Sequence, residues 1–313
     1  MQRLPSGLVV VSPSDKVPIR ELGKLRWGLY SKEKTGKTSF AISNPRMFVI
    51  DIERKCDLVE DGWRSGMFAQ VKTLPEFDSV IDWLCSKKHP DIDMVGIDTL
   101  DELLHGLVIP GYTVELKKQL NDLKKSIDFF DIRDYRSSGQ GSGGWDMVNN
   151  RVLNYFRRLY AAGYSWMAIG HTKEKKINIR QPDGRFQELT VDRIAVPDGI
   201  RTGLSRMIEV AATLVWDDIN TATDQVLLDG KWVERTEENL ALATAKGKPL
   251  TRTENTRTRS LTLRIQEKVG DSDVSLGSNV TLPPRIALPL GKGWEAVVKA
   301  SSDLRAAKET SNG

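Results

Sequence analysis

Cysteine is scarce in this chain of 313 residues, which contains only Cys56 and Cys85. Two cysteines without a paired spacing argue against a disulfide framework and a cysteine-based zinc site, and they fit a reducing compartment. Long apolar runs are also missing, since none reaches the roughly 20 residues of a membrane span, and the N-terminus lacks a signal-peptide pattern. We therefore expect a cytoplasmic protein.

A strong excess of one charge is absent as well. Lys and Arg number 46 and Asp and Glu number 42, which leaves a net charge of +4. This mild value does not demand a nucleic-acid partner, so any basic surface must be local. The length favours one large α/β domain with appendages. We predict an N-terminal arm (1–22), a core (23–240), a basic, β-rich C-terminal extension (241–300) and a disordered tail (301–313).

The segment 27–40, WGLYSKEKTGKTSF, runs from an apolar strand through a polar turn into the start of a helix. Within it, residues 31–38 match the phosphate-binding motif G-x-x-x-x-G-K-[ST] at every fixed position but the first, where Ser31 replaces glycine. The alternative is a lysine-rich turn between a strand and a helix. The predicted nucleotide-binding residues are Ser31, Lys32, Glu33, Lys34, Thr35, Gly36, Lys37, Thr38 and Ser39.

The residue types of this motif suit phosphate chemistry. Gly36 lets the backbone approach a phosphate, while the following N–H groups and the start of the helix favour an anion. Lys37 would reach the β- and γ-phosphates, and the hydroxyl of Thr38 would bind Mg²⁺. We expect Ser31 to adopt the backbone angles of a glycine, at a cost of about 1 kcal/mol.

Three further apolar runs are predicted to be buried parallel strands with chemistry at their carboxyl ends. The run 47–53 ends in acids, and the run 94–98 ends in Asp98, which is placed to hold Mg²⁺ together with Thr38. The run 165–171 ends in His171, our candidate for a residue that senses the γ-phosphate or the attacking water. The alternatives are a strand-end cap for Asp98 and a structural role for His171. A β-hairpin is predicted around 182–184.

Two segments are candidates for contact with nucleic acid. The glycine- and serine-rich stretch 134–145 carries Tyr135, Arg136 and Trp145, which could stack on and pair with single-stranded nucleic acid. The basic stretch 246–264 could lie on phosphate backbones or reach a neighbouring subunit as an arginine finger. The alternatives are a mobile loop without function and a solvated connector.

Several blocks of the sequence together resemble the phage-type RecA-like ATP-binding proteins, the Sak-type single-strand-annealing ATPases. The resemblance extends over about 25–298. The blocks are SKEKTGKTSFA (31–41), FVIDIERKCD (48–57), MVGIDTLDEL (94–103), WMAIGHTKEKK (166–176), AATLVWDD (211–218) and PPRIALP (283–289). The resemblance implies an α/β, RecA-like P-loop NTPase core, with a mostly parallel sheet flanked by helices, a β-hairpin and a C-terminal extension.

The same resemblance implies ATP and Mg²⁺ as cofactors and single-stranded DNA as a partner. It also implies work beside phage replication or recombination proteins in the host cytoplasm. Because basic, flexible extensions lie beside a complete set of phosphate-binding parts, we further expect a homo-oligomer or filament. Subunits would meet at the nucleotide, with a cation supplied in trans. The candidates for that cation are Lys173, Lys175, Arg257 and Arg259.

The general base in such cores is commonly a Glu on the strand beside the P-loop strand. Glu53 occupies that place by resemblance, with Asp101 and Glu102 as rivals, and Asp51 would be a second acid near the metal or a strand cap. The predicted catalytic residues are thus Glu53, Lys37 and His171.

Our leading hypothesis is an ATPase whose nucleotide state controls its assembly on single-stranded DNA. One alternative is a non-hydrolysing, nucleotide-dependent interaction module or a loader for a replication protein. Another is a small-molecule kinase, although the chain shows no arginine-rich lid.

Overall fold

The computed structural model describes most of the chain. The described residues are 2–3, 9–10, 21–125, 131–135, 143–180, 185–245, 251–263, 282–283, 285–289 and 293–311. The predicted arm 1–22 and the glycine-rich stretch with Arg136 fall largely outside these ranges, as do 246–250 and 264 of the basic stretch. None of the helices that the structure describes is long and apolar enough to span a bilayer.

Twelve strands and eight α-helices make up the described fold. The strands are β1 (Gln2–Arg3), β2 (Val9–Val10), β3 (Trp27–Ser31), β4 (Met47–Asp51), β5 (Met67–Gln70), β6 (Met94–Asp98), β7 (Ser165–Arg180), β8 (Phe186–Ile194), β9 (Val210–Leu228), β10 (Lys231–Glu234), β11 (Thr251–Leu263) and β12 (Arg285–Leu288). The helices are α1 (Lys37–Ile42), α2 (Leu74–Ser86), α3 (Leu100–Glu102), α4 (Ile109–Asp122), α5 (Gly144–Ala161), α6 (Asp198–Ser205), α7 (Glu237–Ala245) and α8 (Gly293–Ser311). A π-helix, Leu103–Val108, joins α3 to α4, and short 3-10 turns lie at Leu22–Lys24, Cys56–Leu58 and Asp61–Trp63.

One ten-stranded sheet organises the molecule. Eight of its strands follow the order β12-β11-β9-β3-β7-β6-β4-β5, and β8 and β10 pair alongside this path. The six strands from β9 to β5 in this order are mutually parallel, whereas β11 and β12 join antiparallel. Strand β8 pairs with β7 as the predicted hairpin, and β10 pairs with β9. The predicted fold class, an α/β fold built on a mostly parallel sheet flanked by helices, is confirmed.

Helices cover both faces of the sheet, which explains why β3, β4 and β6 are continuous apolar runs buried along their whole length. One core lies under α2, the π-helix, α4 and α5. The other lies under α1 and α8, where the Trp294 ring packs edge-on against Trp27 and Phe40. A capping box between Thr73 and Glu76 closes the first turn of α2.

The C-terminal part of the chain continues the same sheet. Strand β11 lies between β9 and β12, and it pairs with β9 over most of its length. The predicted disordered tail from 301 is wrong for the described residues, since α8 continues to Ser311. The helix persists because Trp294 and Val297 anchor it in the core and Ser301 is buried. The division at 241 into a core and an extension stays a prediction.

Candidate functional site

The loop after β3 forms a tight turn between that strand and α1. Its left-handed residues are Lys34 (φ 58°) and Gly36 (φ 85°). Ser31 is the last residue of β3, pairs in register with His171 and is not in a left-handed conformation. The expected strain at Ser31 is therefore absent. Its hydroxyl instead hydrogen-bonds to that of Thr35 across the turn, so the serine ties the two ends of the loop together.

Lys37 folds back over this turn and is only 6% exposed. Its ammonium donates to the carbonyl oxygens of Lys32 at 2.8 Å and Ser31 at 3.3 Å. Burial lowers the pKa of Lys37, while the carboxylates of Asp98 and Glu53 oppose that shift. The lysine is thus held inside the loop and close to the acids of the neighbouring strands.

The structure brings Thr38 and Asp98 together. The Thr38 hydroxyl donates to Oδ2 of Asp98 at 2.6 Å. Asp98 is completely buried at the end of β6, and its Oδ1 atom has no hydrogen-bond partner among the described residues. Burial, reinforced by Glu53 and Asp51, raises the pKa of Asp98 to about 6. A buried carboxylate oxygen without a donor is unusual, because such atoms are normally satisfied.

These two oxygen ligands fit Mg²⁺, which prefers oxygen donors and is commonly held by one or two protein groups with water and phosphate completing its shell. The unpartnered Oδ1 of Asp98 is the observation that supports this fit. Glu53, Asp101 and His171 form a second potential ligand group, since one ligand atom from each lies within 4.8 Å of the others.

An acidic cluster around His171 lies beside the loop. The His171 Nδ1 atom is 2.7 Å from Oδ2 of Asp101 and 3.8 Å from Oε1 of Glu53. The hydrogen bond to Asp101 raises the pKa of His171. Glu53 also accepts from the Thr99 hydroxyl at 3.1 Å and pairs with the Lys55 ammonium.

An open cleft of about 540 Å³ runs along this cluster, and its size and position suit a polar ligand. It is lined by Glu33, Ile52, Glu53, Arg54, Lys55, Asp101, Glu102 and His171.

The strand order corrects one expectation about Glu53. This residue follows β4, which lies between β6 and β5 and not beside β3. Glu53 reaches the cluster because the chain turns back past the end of β4, where the Ile52 N–H donates to the Asp98 carbonyl at 2.8 Å. Asp51, for which two roles were open, caps the same turn by accepting from the N–H groups of Lys55 and Cys56.

His171 is the last residue of β7 that pairs with β3, but β7 does not end there as predicted, because it continues to Arg180 in the hairpin with β8. Strand β7 is inserted between β3 and β6, so His171 emerges between the loop and Asp98. Among the rival acids, Asp101 contacts His171, and Glu102 lines the same cleft.

The four candidate trans cations have different positions. Lys173 is exposed on β7, whereas the side chains of Lys175 and Arg257 lie outside the described residues. Arg259 contacts its own chain: its Nη1 atom is 3.4 Å from the Gly36 carbonyl oxygen, and the side chain is 6% exposed. The structure therefore places Arg259 in cis at the loop, because β11 returns through the sheet beside β9.

Three site residues escaped the sequence analysis. Lys55 and Thr99 hold Glu53, and each follows an acidic strand end, a position that could have marked them. Trp216 donates its indole N–H to the Lys34 carbonyl at 3.2 Å. The sequence feature that could have identified Trp216 is its position at the end of the apolar run 210–216, next to an acidic residue.

Comparison with known proteins identifies the family to which the region containing this site belongs. The AAA_24 family model, described as an AAA domain, matches residues 23–236, more than half of the chain. No curated protein matches the sequence. Among solved structures, the chain is similar to the flagellar accessory protein FlaH from Methanocaldococcus jannaschii at 8% identity and a TM-score of 0.34, over 86% of each chain. It is also similar to the RadB recombinase at 10% identity and a TM-score of 0.34, over 80% of this chain and 84% of the other.

Proposed function

This chain belongs to the AAA domain family and is a P-loop ATPase, and from that premise we propose that it hydrolyses ATP with Mg²⁺ at the loop 31–39. We further propose that its nucleotide state controls assembly on single-stranded DNA, in phage recombination or replication. The observation that carries the nucleotide part is the contact of half-buried Thr38 with fully buried Asp98, whose second carboxylate oxygen has no partner among the described residues. It lies between a phosphate-binding loop and an acidic cleft.

Each residue of the proposed site has its own role in binding or hydrolysing ATP. Lys37 would exchange the loop carbonyl oxygens it now contacts for β- and γ-phosphate oxygens. Thr38 and Asp98 would hold Mg²⁺, which neutralises charge developing on the phosphate oxygens. Glu53 would orient a water for in-line attack and accept its proton. His171, fixed by Asp101, would contact the γ-phosphate or that water.

The nucleic-acid part of the proposal has its own support. Strands β7 and β8 extend past the ends of the parallel strands as a hairpin that carries exposed Lys173 and Lys176. Lysines on a projecting ribbon suit contact with phosphate backbones, which makes binding strongly salt-dependent. The resemblance to annealing ATPases adds the expectation of single-stranded DNA, and assembly into a homo-oligomer or filament is part of the same proposal.

A second candidate function is a nucleotide-dependent switch or loader that binds ATP without turning it over. One observation favours it: the carboxylate of Glu53 is engaged by Lys55 on one oxygen and by Thr99 on the other. These two partners leave further acceptor positions on the carboxylate free but fix its orientation, and the switch requires that this orientation keeps Glu53 from activating the attacking water. Binding of ATP with normal affinity but no turnover would support the switch.

The test is ATP hydrolysis with and without single-stranded DNA. Lys37→Ala should abolish nucleotide binding, and Glu53→Gln should lower turnover by about 10²- to 10⁴-fold while nucleotide binding is kept. Glu102→Gln is the matched control, since this rival carboxylate lies in the same cleft. Loss of turnover in Glu102→Gln but not in Glu53→Gln would move the base to Glu102. No DNA stimulation and no salt-sensitive oligonucleotide binding would remove the DNA part.

A further inference from the structure

Two residues from neighbouring strands hold the loop on the side away from the acidic cleft. Trp216 of β9 and Arg259 of β11 are direct register partners, so their side chains project from the same face of the sheet. Trp216 donates to the carbonyl of Lys34 at 3.2 Å, and Arg259 approaches that of Gly36 at 3.4 Å. Strands β9 and β11 lie on one side of β3, and the strands of the acidic cluster lie on the other.

Arg259 is a buried charge without a counter-ion among the described residues. Its side chain is 6% exposed, its Nε atom has no hydrogen-bond partner, and its Nη1 atom reaches only a neutral carbonyl oxygen. Arginine stays protonated in proteins, and a buried, unpaired charge is costly. A charge kept at such a cost beside an anion-binding loop indicates that its partner is a ligand.

Trp216 offers the complementary feature, a large aromatic surface next to the loop. Its side chain is 42% exposed although it touches the loop backbone. Ala212 pairs with Leu29, so β9 carries Trp216 past the end of β3 to the level of the turn. An indole placed there has one edge bound to the loop and part of its surface open to a ligand.

We propose that Trp216 and Arg259 form the second half of the nucleotide site, with Trp216 stacking on the base and Arg259 acting in cis on the phosphate chain. This inference rests on the proposed function. The γ-phosphate end of ATP would lie on one side of the loop, next to Asp98, Glu53 and His171. The base end then extends to the other side, where these two residues lie. Stacking tolerates any base, so Trp216 contributes affinity more than base selectivity.

The experiment for Trp216 compares the affinity for ATP with that for inorganic tripolyphosphate, which has no base, by isothermal titration calorimetry. Trp216→Ala should weaken ATP binding about tenfold and leave tripolyphosphate binding unchanged. Trp216→Phe keeps an aromatic face but loses the N–H to Lys34, and it should bind ATP nearly as the wild type does. Trp232→Ala is the matched control, because Trp232 is 41% exposed on β10 and pairs with Leu227 of β9.

For Arg259, the informative variant is Arg259→Gln, which removes the charge but keeps a donor. It should weaken both ATP and tripolyphosphate about tenfold, because the charge acts on phosphates. Its resistance to urea without ligand should equal or exceed that of the wild type, since an uncompensated buried charge is removed. Arg259→Lys should bind better than Arg259→Gln. A residue that only supports the loop would instead lose stability in Arg259→Gln.

Specific results overturn the inference while leaving the proposed function intact. If the wild type binds ATP no tighter than tripolyphosphate, or if both Trp216 variants weaken the two ligands equally, Trp216 only supports the loop. Unchanged affinity in Arg259→Gln would remove Arg259 from the site. Failure of the wild type to bind either ligand would instead refute the nucleotide site as a whole.

Discussion

For the His171–Asp101 pair, the contribution of its charges to the free energy of unfolding can be measured separately from that of its packing. The two side chains are 14% and 20% exposed and lie 2.7 Å apart, and the His171 backbone N–H is 3.3 Å from the other oxygen of Asp101. The pair joins β7, at the residue where its pairing with β3 ends, to α3. Asp101→Asn keeps the size of the side chain but removes its charge. A hydrogen bond to a charged group contributes about 1.5–3 kcal/mol, so we expect a loss of that order where the imidazole is protonated.

The pH dependence follows from the two pKa shifts. Asp101 raises the pKa of His171 above its ordinary 6.5, so the stability gained from protonation is complete below pH 6.5 and is lost as pH rises through the folded-state pKa. Although burial raises the pKa of Asp101, the hydrogen bond from His171 holds it below 3.8. The contribution of Asp101 is therefore present above pH 3.8 and is lost as pH falls through its folded-state pKa. The free energy of unfolding of the wild type should therefore exceed that of Asp101→Asn by the largest amount between these two pH limits.

The assay is urea unfolding followed by circular dichroism at pH 6 and pH 9, without nucleotide and with a chelator. Asp101→Asn should lose about 1.5–3 kcal/mol at pH 6, and the loss should shrink at pH 9. Asp122→Asn, at an exposed position at the end of α4, is the control and should change little at either pH. An equal loss for Asp101→Asn at both pH values would refute the charged pair and leave only a neutral hydrogen bond.

Three further variants test other parts of the site and the core. Asp98→Asn should raise the free energy of unfolding in the presence of a chelator by about 1–3 kcal/mol, because it removes a buried carboxylate whose pKa burial raises to about 6. The same variant should lose Mg²⁺-dependent nucleotide binding, measured by calorimetry. Gly36→Ala places a Cβ at φ 85° against the Arg259 guanidinium. It should lose about 1 kcal/mol in urea unfolding and more in nucleotide affinity. Arg151→Met leaves Asp78 and Glu115 without the guanidinium that bonds them at 2.8 and 2.6 Å, and urea unfolding should show a loss of about 2 kcal/mol. A stable Arg151→Met variant, or an Asp98→Asn variant less stable than the wild type, would contradict these assignments.

The local parts of the fold could be predicted from the sequence, because they depend on neighbouring residues. The strands at 27–31, 47–51 and 94–98 are apolar runs that end at polar residues, and the loop between β3 and α1 is a contiguous motif. The hairpin and the capping box of Thr73 are likewise short-range patterns. Each of these features is specified within about 20 residues of the chain.

The order of the strands could not be predicted in the same way. No local pattern states that β7 inserts between β3 and β6, or that β4 lies beyond β6, and Glu53 was therefore assigned to the wrong neighbouring strand. Ser31 was expected to be strained because the motif has glycine there, but the turn places its left-handed residues at Lys34 and Gly36 instead.

The position of Arg259 also could not be predicted from the sequence, since this residue contacts Gly36, which lies 223 positions earlier in the chain. Its neighbours in the sequence are basic and polar, which favoured an exposed connector or a finger for another subunit. Only the pairing of β11 with β9 turns this side chain inward. Long-range strand pairing decides whether a charged residue in a strand faces solvent or a site.

Two of the unsatisfied groups beside the loop carry opposite charges, and this limits which ligand can satisfy both of them. Within the part of the chain that the structure describes, Asp98 presents a buried carboxylate oxygen without a donor, and Arg259 presents a buried guanidinium nitrogen without an acceptor. They belong to strands on opposite sides of β3, so they do not neutralise each other directly. A lone anion would satisfy Arg259 and repel Asp98, while a lone cation would do the reverse. A metal–phosphate complex carries both charges, and under the proposed function Mg²⁺ and the phosphate chain would satisfy the two groups together.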